Sequence, residues 1–255
     1  MSNRGHKHLY FVGALRSIGE VRQIDLAPTV AEVLGFSFAC DGKPVGELLA
    51  FAGRGERVSL VIVDSLGYEE YLSHRRLFRR LSSMEGRGLF FRCLTYSRLT
   101  TPSIATILCG LRPERHRIMK TGDAYVSTVK CLPEVAYERG FRVAVVMERY
   151  GALSFRGRAD VIKPVADRPD IVSFDEEVCR NAVSVIKDLD PNLLVLHFRS
   201  LDKLGFDSEV VRRLDSTLDT LFRSTREGTL VLVCGDHPPH SRIDERHVAL
   251  IAFKI

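Results

Sequence analysis

The feature that most constrains this chain is a set of short, continuously apolar runs separated by helix-like stretches. Val58–Val63, Val143–Met147, Leu193–Phe198 and Thr229–Cys234 are rich in Val, Leu and Ile and lack the alternation of a half-exposed strand. Runs of this length, apolar at nearly every position, suit central parallel strands buried on both faces. A further run, Val248–Phe253, has the same character. Between the runs lie amphipathic patterns over Glu70–Ser83, Ser103–Leu108, Val129–Arg139, Glu176–Asp188 and Ser208–Thr225. This alternation predicts an α/β fold, a doubly wound and mostly parallel sheet with helices on both faces. The 255 residues suit one such domain or two small ones.

Several other classes are set aside. No apolar run nears the roughly twenty residues of a membrane span, and the polar stretch Met1–His8 has no apolar signal segment. A cytoplasmic protein without a membrane association is the expectation. The six cysteines are scattered with no C-x-x-C pair, which predicts buried thiols, not a disulfide scaffold or a cysteine zinc site. The net charge of +5 suits an anionic substrate. The basic residues are dispersed, however, and form no specific nucleic-acid module. No G-x-G-x-x-G follows the first strand, which argues against a dinucleotide-binding Rossmann protein. Nothing in the pattern speaks to oligomeric state.

In open α/β sheets, functional groups gather beyond the carboxyl ends of the strands. Asp64 directly follows Val58–Val63, Asp202 lies just past Leu193–Phe198, and Asp236 and His237 follow Val231–Cys234. Three carboxylates brought together raise one another's pKa unless a cation stands between them, so a divalent metal is the simplest resolution. With His237, and with His240 close behind it, the donors are mixed nitrogen and oxygen, which suits Zn²⁺ or Mn²⁺ better than Ca²⁺. The segment Tyr96–Thr106 supplies a hydroxyl. Pro102 at a first helical position would put Thr100 or Thr101 at or just before a helix N-terminus, where free N–H groups favour a phosphate. A metal-bound hydroxyl there becomes a usable nucleophile. The plainer role for Thr101 is a helix cap.

The run Thr100-Thr101-Pro102-Ser103-Ile104-Ala105-Thr106, continued by Gly110-Leu111-Arg112-Pro113-Glu114-Arg115-His116, resembles the nucleophile segment of the alkaline phosphatase superfamily. The likeness is strongest to its phosphodiesterase and nucleotide pyrophosphatase branch. Val61-Ile62-Val63-Asp64 resembles the family's opening strand and first ligand, Cys234-Gly235-Asp236-His237 its Asp-His pair, and Leu201-Asp202-Lys203-Leu204-Gly205-Phe206 its Asp-x-x-Gly-His motif. The resemblance implies one metal site of Asp64, Asp236, His237 and the Thr100 oxygen, and a second with Asp202 and His240. It implies Thr100 as nucleophile, a covalent phospho-threonine, Zn²⁺ (or Mn²⁺) as cofactor, and a small phosphate ester or nucleotide as substrate. Arg98 and Lys203 stand near these residues in sequence and are candidate phosphate contacts. The Cys/Ser-x-Pro-x-Arg setting of the superfamily's sulfatases is missing.

Two departures stand out. Phe206 occupies the position where Asp-x-x-Gly-His has its His, leaving Asp207 or His197 to substitute. It also opens the alternative of a degenerate member that binds metal or phosphate ligands without turnover. The second departure is chain order. Val21–Gly35, with its Ile-Asp-Leu-Ala-Pro-Thr run, and Asp41-Gly42-Lys43-Pro44 resemble segments that normally come last in the family. The resemblance therefore implies a circular permutation within one domain spanning 1–255. Residues 1–50 would correspond to the family's C-terminal segment and pack beside Val248–Phe253. Residues 56–255 would hold the nucleophile and metal ligands, joined through the Gly53–Arg57 seam.

Overall fold

Strand residues alternate between two apolar layers. Leu60, Ile62, Leu193, Val195 and Leu232 face one layer, whereas Val61, Val63, Leu194, Leu196 and Val233 face the other. Both layers are apolar, which is why these runs are apolar at nearly every position, Ser59 and His197 being the exceptions in β2 and β6. Each such side chain contributes about 1.5–3 kcal/mol through burial.

A computed structural model describes residues 20–168 and 170–255. Its strands are β1 (Val21–Arg22), β2 (Val58–Val63), β3 (Leu89–Leu94), β4 (Val143–Glu148), β5 (Val161–Val165), β6 (Leu193–Phe198), β7 (Leu230–Gly235) and β8 (His247–Lys254). They form one sheet in the order β1-β3-β8-β7-β2-β6-β4-β5. β8 runs antiparallel to β3 and β7, and the other pairs are parallel. This is the expected doubly wound, mostly parallel α/β sheet. The Thr100–Cys109 helix packs on one face, and the long helices Ile171–Leu189 and Ser208–Ser224 cover the other.

The sequence reading leaves out β1, β3 and β5. β3 carries the exposed Arg92 among half-buried neighbours, and edge strand β5 contains Lys163 and Pro164, so neither is a continuous apolar run. The single helix expected over Glu70–Ser83 is two, Tyr68–His74 and Arg79–Glu85. The second begins where the buried Asp215 carboxylate accepts hydrogen bonds from the Arg80 and Leu81 N–H groups. Cys109 and Cys131, expected as thiols, have their sulfurs 2.24 Å apart in a disulfide. It joins the end of the Thr100–Cys109 helix to the start of the Leu132–Glu138 helix.

Residues 20–52 belong to the same core. β1 pairs with β3, and the helices Leu26–Val33 and Gly46–Ala52 bury Ala27, Val30, Ala31 and Leu48 in the first layer. The Asp25 carboxylate binds the Arg22 guanidinium at 2.8 Å and accepts from the Lys43 N–H at 2.9 Å. This fastens the Asp41–Pro44 turn. Gly42 is required there, because a Cβ would lie 1.8 Å from the Ile24 carbonyl oxygen. Gln23 Nε2 donates to the backbone oxygens of Gly235 (3.1 Å) and Asp236 (2.6 Å). The first nineteen residues of the segment expected beside β8 lie outside the described residues. Glu20 Oε1 lies 2.9 Å from His247 Nε2 at the start of that strand. Among the described residues no helix is long and apolar enough to cross a membrane.

Candidate active site

Register brings the candidate ligands together. Val63 pairs with Phe198 of β6 on one side and with Gly235 of β7 on the other. The next residues, Asp64, Arg199 and Asp236, therefore leave the sheet level with one another at its carboxyl edge. Asp202 follows in the short Ser200–Leu204 helix. The Asp175 carboxylate accepts from the N–H groups of Arg199 (2.7 Å) and Ser200 (3.1 Å) and so sets where that helix starts. Burial pushes the Asp175 carboxyl up to about 6 despite those bonds.

Asp64, Asp236 and His237 are all buried, and each offers a ligand atom within 4.8 Å of the others. His237 Nε2 lies 3.2 Å from Asp64 Oδ1, 3.6 Å from Asp236 Oδ2 and 3.3 Å from Thr100 Oγ1. Asp236 Oδ1 is occupied, accepting from the N–H groups of Ser65 (3.0 Å) and His237 (2.7 Å). Asp64 Oδ1 and Asp236 Oδ2 are buried without a hydrogen-bond partner, and so is His197 Nε2, 3.6 Å from Asp64 Oδ2. Buried lone pairs left open in this way are rare and costly. The two carboxylate oxygens lie in one ligand group with His237, while His197 stands beside it against Asp64 Oδ2. A four-coordinate zinc with bonds of about 2.0–2.2 Å has ligand–ligand edges of roughly 3.3–3.6 Å. The three spacings from His237 Nε2 are close to those edge lengths, and with the open carboxylate oxygens the residues fit a divalent ion.

The charges tell the same story. Burial and the neighbouring Asp64 charge hold the Asp236 carboxyl well above its ordinary value. Burial pulls the His237 imidazole down, but the close approach of Asp64 and the charges of Asp236 and Asp64 outweigh it and raise the group to about 9. Without a cation, the protein thus keeps a proton or two between these groups. His197 is neutral. Burial takes it down to about 4, against the pull of Asp64.

The Thr100–Cys109 helix starts at Thr100, earlier than the expected Ser103, so Pro102 is its third residue and not its first. Leu99 is the flanking cap residue, and Ser97 Oγ accepts from its N–H at 3.1 Å. This phase aims Thr100 Oγ1 at His237, while Thr101 Oγ1 approaches Thr121 Oγ1 at 3.4 Å. Both threonines line a cavity of about 390 Å³ whose walls include Ile104, Leu108, Met147, Phe155, His197 and Arg199. The cavity is mostly apolar, and Arg199 brings a guanidinium that also binds Asp167 at 3.1 Å.

The remaining candidates lie to one side. Asp202, His237 and His240 form a second group within the same 4.8 Å span. Asp202 Oδ1 accepts from Ser65 Oγ at 2.9 Å and lies 3.5 Å from His240 Nε2, while Oδ2 holds the Lys203 ammonium at 2.9 Å. Burial raises the Asp202 carboxyl, and the bonds from Lys203 and Ser65 more than reverse this, leaving it below its ordinary value. Arg98 donates to the backbone oxygens of His240, Arg242 and Ile243, fastening that loop. Asp207 caps the Ser208–Ser224 helix through the Glu209 N–H at 2.8 Å, leaving His197 as the spare ligand closest to the cluster. Sequence reasoning overlooked Ser65, which touches both Asp202 and Asp236 from an uncommon φ of 62°, and Arg199. Ser65 had one available signal, its place directly after Asp64 at a strand end.

No profile of a known protein family matches the chain, and no curated protein matches it. Solved structures do. A phosphonoacetate hydrolase from Sinorhizobium meliloti 1021 superposes with a TM-score of 0.60 at 17% identity, over 72% of this chain and 57% of its own. A 2-O GAG sulfatase gives 0.61 at 12% identity over 78% and 64%. A murine ectonucleotide pyrophosphatase/phosphodiesterase gives 0.54 at 17% identity over 71% and 57%. The chain thus spans little more than half the length of the hydrolase. At these identities the likeness establishes architecture, and the architecture is the alkaline phosphatase-like fold.

Proposed function

We propose that this chain is a metal-dependent phosphate-ester hydrolase of the phosphodiesterase or nucleotide pyrophosphatase kind, with Thr100 as nucleophile. One observation carries the reading. The Thr100 hydroxyl stands 3.3 Å from His237 Nε2, at the edge of a buried Asp64–Asp236–His237 cluster with open lone pairs, and faces a cavity. Asp64, Asp236, His237 and Thr100 Oγ1 would hold a divalent ion, Zn²⁺ or Mn²⁺ by their nitrogen and oxygen donors, which supplies charge that acidifies the hydroxyl and neutralises phosphoryl oxygens. His197 Nε2, 3.6 Å from Asp64 Oδ2, would act on the ion through that carboxylate, orienting it as a ligand.

In this reading Thr100 Oγ1 loses its proton to water and forms a bond to phosphorus as the bond to the leaving oxygen breaks. The leaving oxygen takes a proton from water. A second water then attacks phosphorus and frees Thr100. The helix N-terminus under Thr100 presents free N–H groups to the phosphoryl oxygens. The organic part of the ester lies along Ile104, Leu108, Met147 and Phe155, a wall suited to an apolar or flat group such as a nucleobase. The packing of residues 20–52 against the β3–β8 side of the sheet supports reading the chain order as a circular permutation of the family's.

The test is hydrolysis of a p-nitrophenyl phosphodiester and of the matching monoester, with Zn²⁺ or Mn²⁺, by wild type and Thr100→Ala. Metal-dependent turnover that falls by about 10³-fold or more in Thr100→Ala is expected. One observation favours a second reading, a binding protein without turnover. Phe206 packs on the second apolar layer and stacks near His74 at 5.1 Å, offering no ligand. Folded protein that binds metal but turns over neither ester would establish that second reading.

A further inference from the structure

The two acidic groups differ in what their oxygens lack. In the first, Asp64 Oδ1 and Asp236 Oδ2 are buried and unpartnered. In the second, Asp202 is satisfied on both sides, by Ser65 Oγ and by the Lys203 ammonium, each at 2.9 Å. A cation arriving at Asp202 would have to displace an ammonium tethered to the neighbouring residue, and would then be repelled by it.

The ligand count points the same way. His237 belongs to both groups, but its Nε2 faces Asp64 and Thr100, while its Nδ1 lies 2.8 Å from the Pro238 carbonyl oxygen. One imidazole committed to the first ion leaves the second group with Asp202 and the largely exposed His240. Phe206, at the position of the motif's third ligand, is turned into apolar contacts. Two protein donors fall short of the three or four that zinc sites use. The expected second metal site therefore does not fit these residues.

We propose that the chain binds a single divalent ion, at the Asp64–Asp236–His237 cluster, and that the Lys203 ammonium on Asp202 stands in for a second one. This rests on the hydrolase reading for the first site. It makes Lys203 a positioning residue, holding Asp202 and Ser65 in place beside the cluster and leaving one fixed positive charge where two would otherwise sit.

The experiment is metal content of the full chain. The protein is stripped with chelator, equilibrated with excess zinc chloride, desalted and measured by elemental analysis. About one zinc per chain is expected, falling to near zero in Asp236→Asn. The double variant Lys203→Ala/Phe206→His, which restores a ligand and removes the tethered charge, is expected to rise to about two. Two zinc ions in the wild type would overturn the proposal and leave the hydrolase reading standing. None in the wild type would overturn both. A folded double variant that stays at one would overturn the part assigned to Lys203. If that variant does not fold, Lys203→Met alone is titrated with zinc by calorimetry. A single event, several-fold tighter than in the wild type, is expected, because the positive charge tethered beside the site is gone; wild-type affinity would overturn the same part.

Discussion

Replacing Asp236 by Asn should stabilise the protein without metal and abolish its stabilisation by metal. The substitution keeps the shape. Oδ1 of Asn would still accept from the N–H groups of Ser65 and His237, and its Nδ2 would replace the unpartnered Oδ2. It also removes one of two buried carboxylates beside each other. At about 4 Å and an effective dielectric of 20 such a pair repels by roughly 4 kcal/mol. The lost attraction between Asp236 and the His237 imidazolium offsets part of that relief. A net gain of about 1–3 kcal/mol is expected, or a rise of roughly 3–10 °C in melting temperature at this size. Because the Asp236 carboxyl is held above its ordinary 3.8, the unfolded wild type ionises there before the folded one does. Wild-type stability from this group is therefore lost as pH rises from about 4, and the advantage of the variant should grow from acid to neutral pH. The assay is thermal denaturation with chelator and with excess Zn²⁺. Zinc at a hundred times its Kd should add about 2.7 kcal/mol to the wild type and nothing to the variant. A metal-free Asp236→Asn that melts below the wild type at pH 7, or that still gains stability from zinc, would refute the electrostatic reasoning.

Two further outcomes are expected. His197→Leu removes an open buried nitrogen, so metal-free stability should hold or rise, while zinc affinity, read by competition with a chelating dye, should drop about 10–100-fold. Leu60→Ala, at a fully buried position of β2, should cost about 2–5 kcal/mol in denaturant unfolding and leave zinc stoichiometry unchanged in the folded fraction.

The parts of the fold legible in the sequence are those where one force dominates. Strands β2 and β6 have the bounds their apolar runs suggest, β4 differs by a residue at one end, and β7 and β8 differ by a residue at each end. Burial on both faces selects apolar residues at nearly every position there, with Ser59 and His197 the exceptions. Strands β3 and β5 escaped because their outer positions are solvated and carry Arg92 or Lys163. The split near Phe78 escaped because the group that caps the second helix, Asp215, lies well over a hundred residues away in sequence. The site follows the same division. Asp64, Asp236 and His237 were readable because strand ends of a parallel sheet share an edge. The residues alone left Thr100 and Thr101 both open and the resemblance pointed to Thr100; Pro102 at an assumed first position misplaced the helix start. The role of Lys203 depended on a carboxylate oxygen already held, which no spacing reveals.

Gln23 gives the candidate site a place in time as well as in space. Its amide holds the carbonyl oxygens of Gly235 and Asp236, partners synthesised more than two hundred residues later. During translation Gln23 emerges before its partners and must wait for them, while the helix Leu26–Val33 is covered as the helices Gly46–Ala52, Thr100–Cys109 and Leu132–Glu138 form. The loop bearing Asp236 and His237 thus takes this hold only when two segments made more than two hundred residues apart meet. Metal capture should accordingly be among the last events of folding, and the waiting segment the stretch most in need of a chaperone.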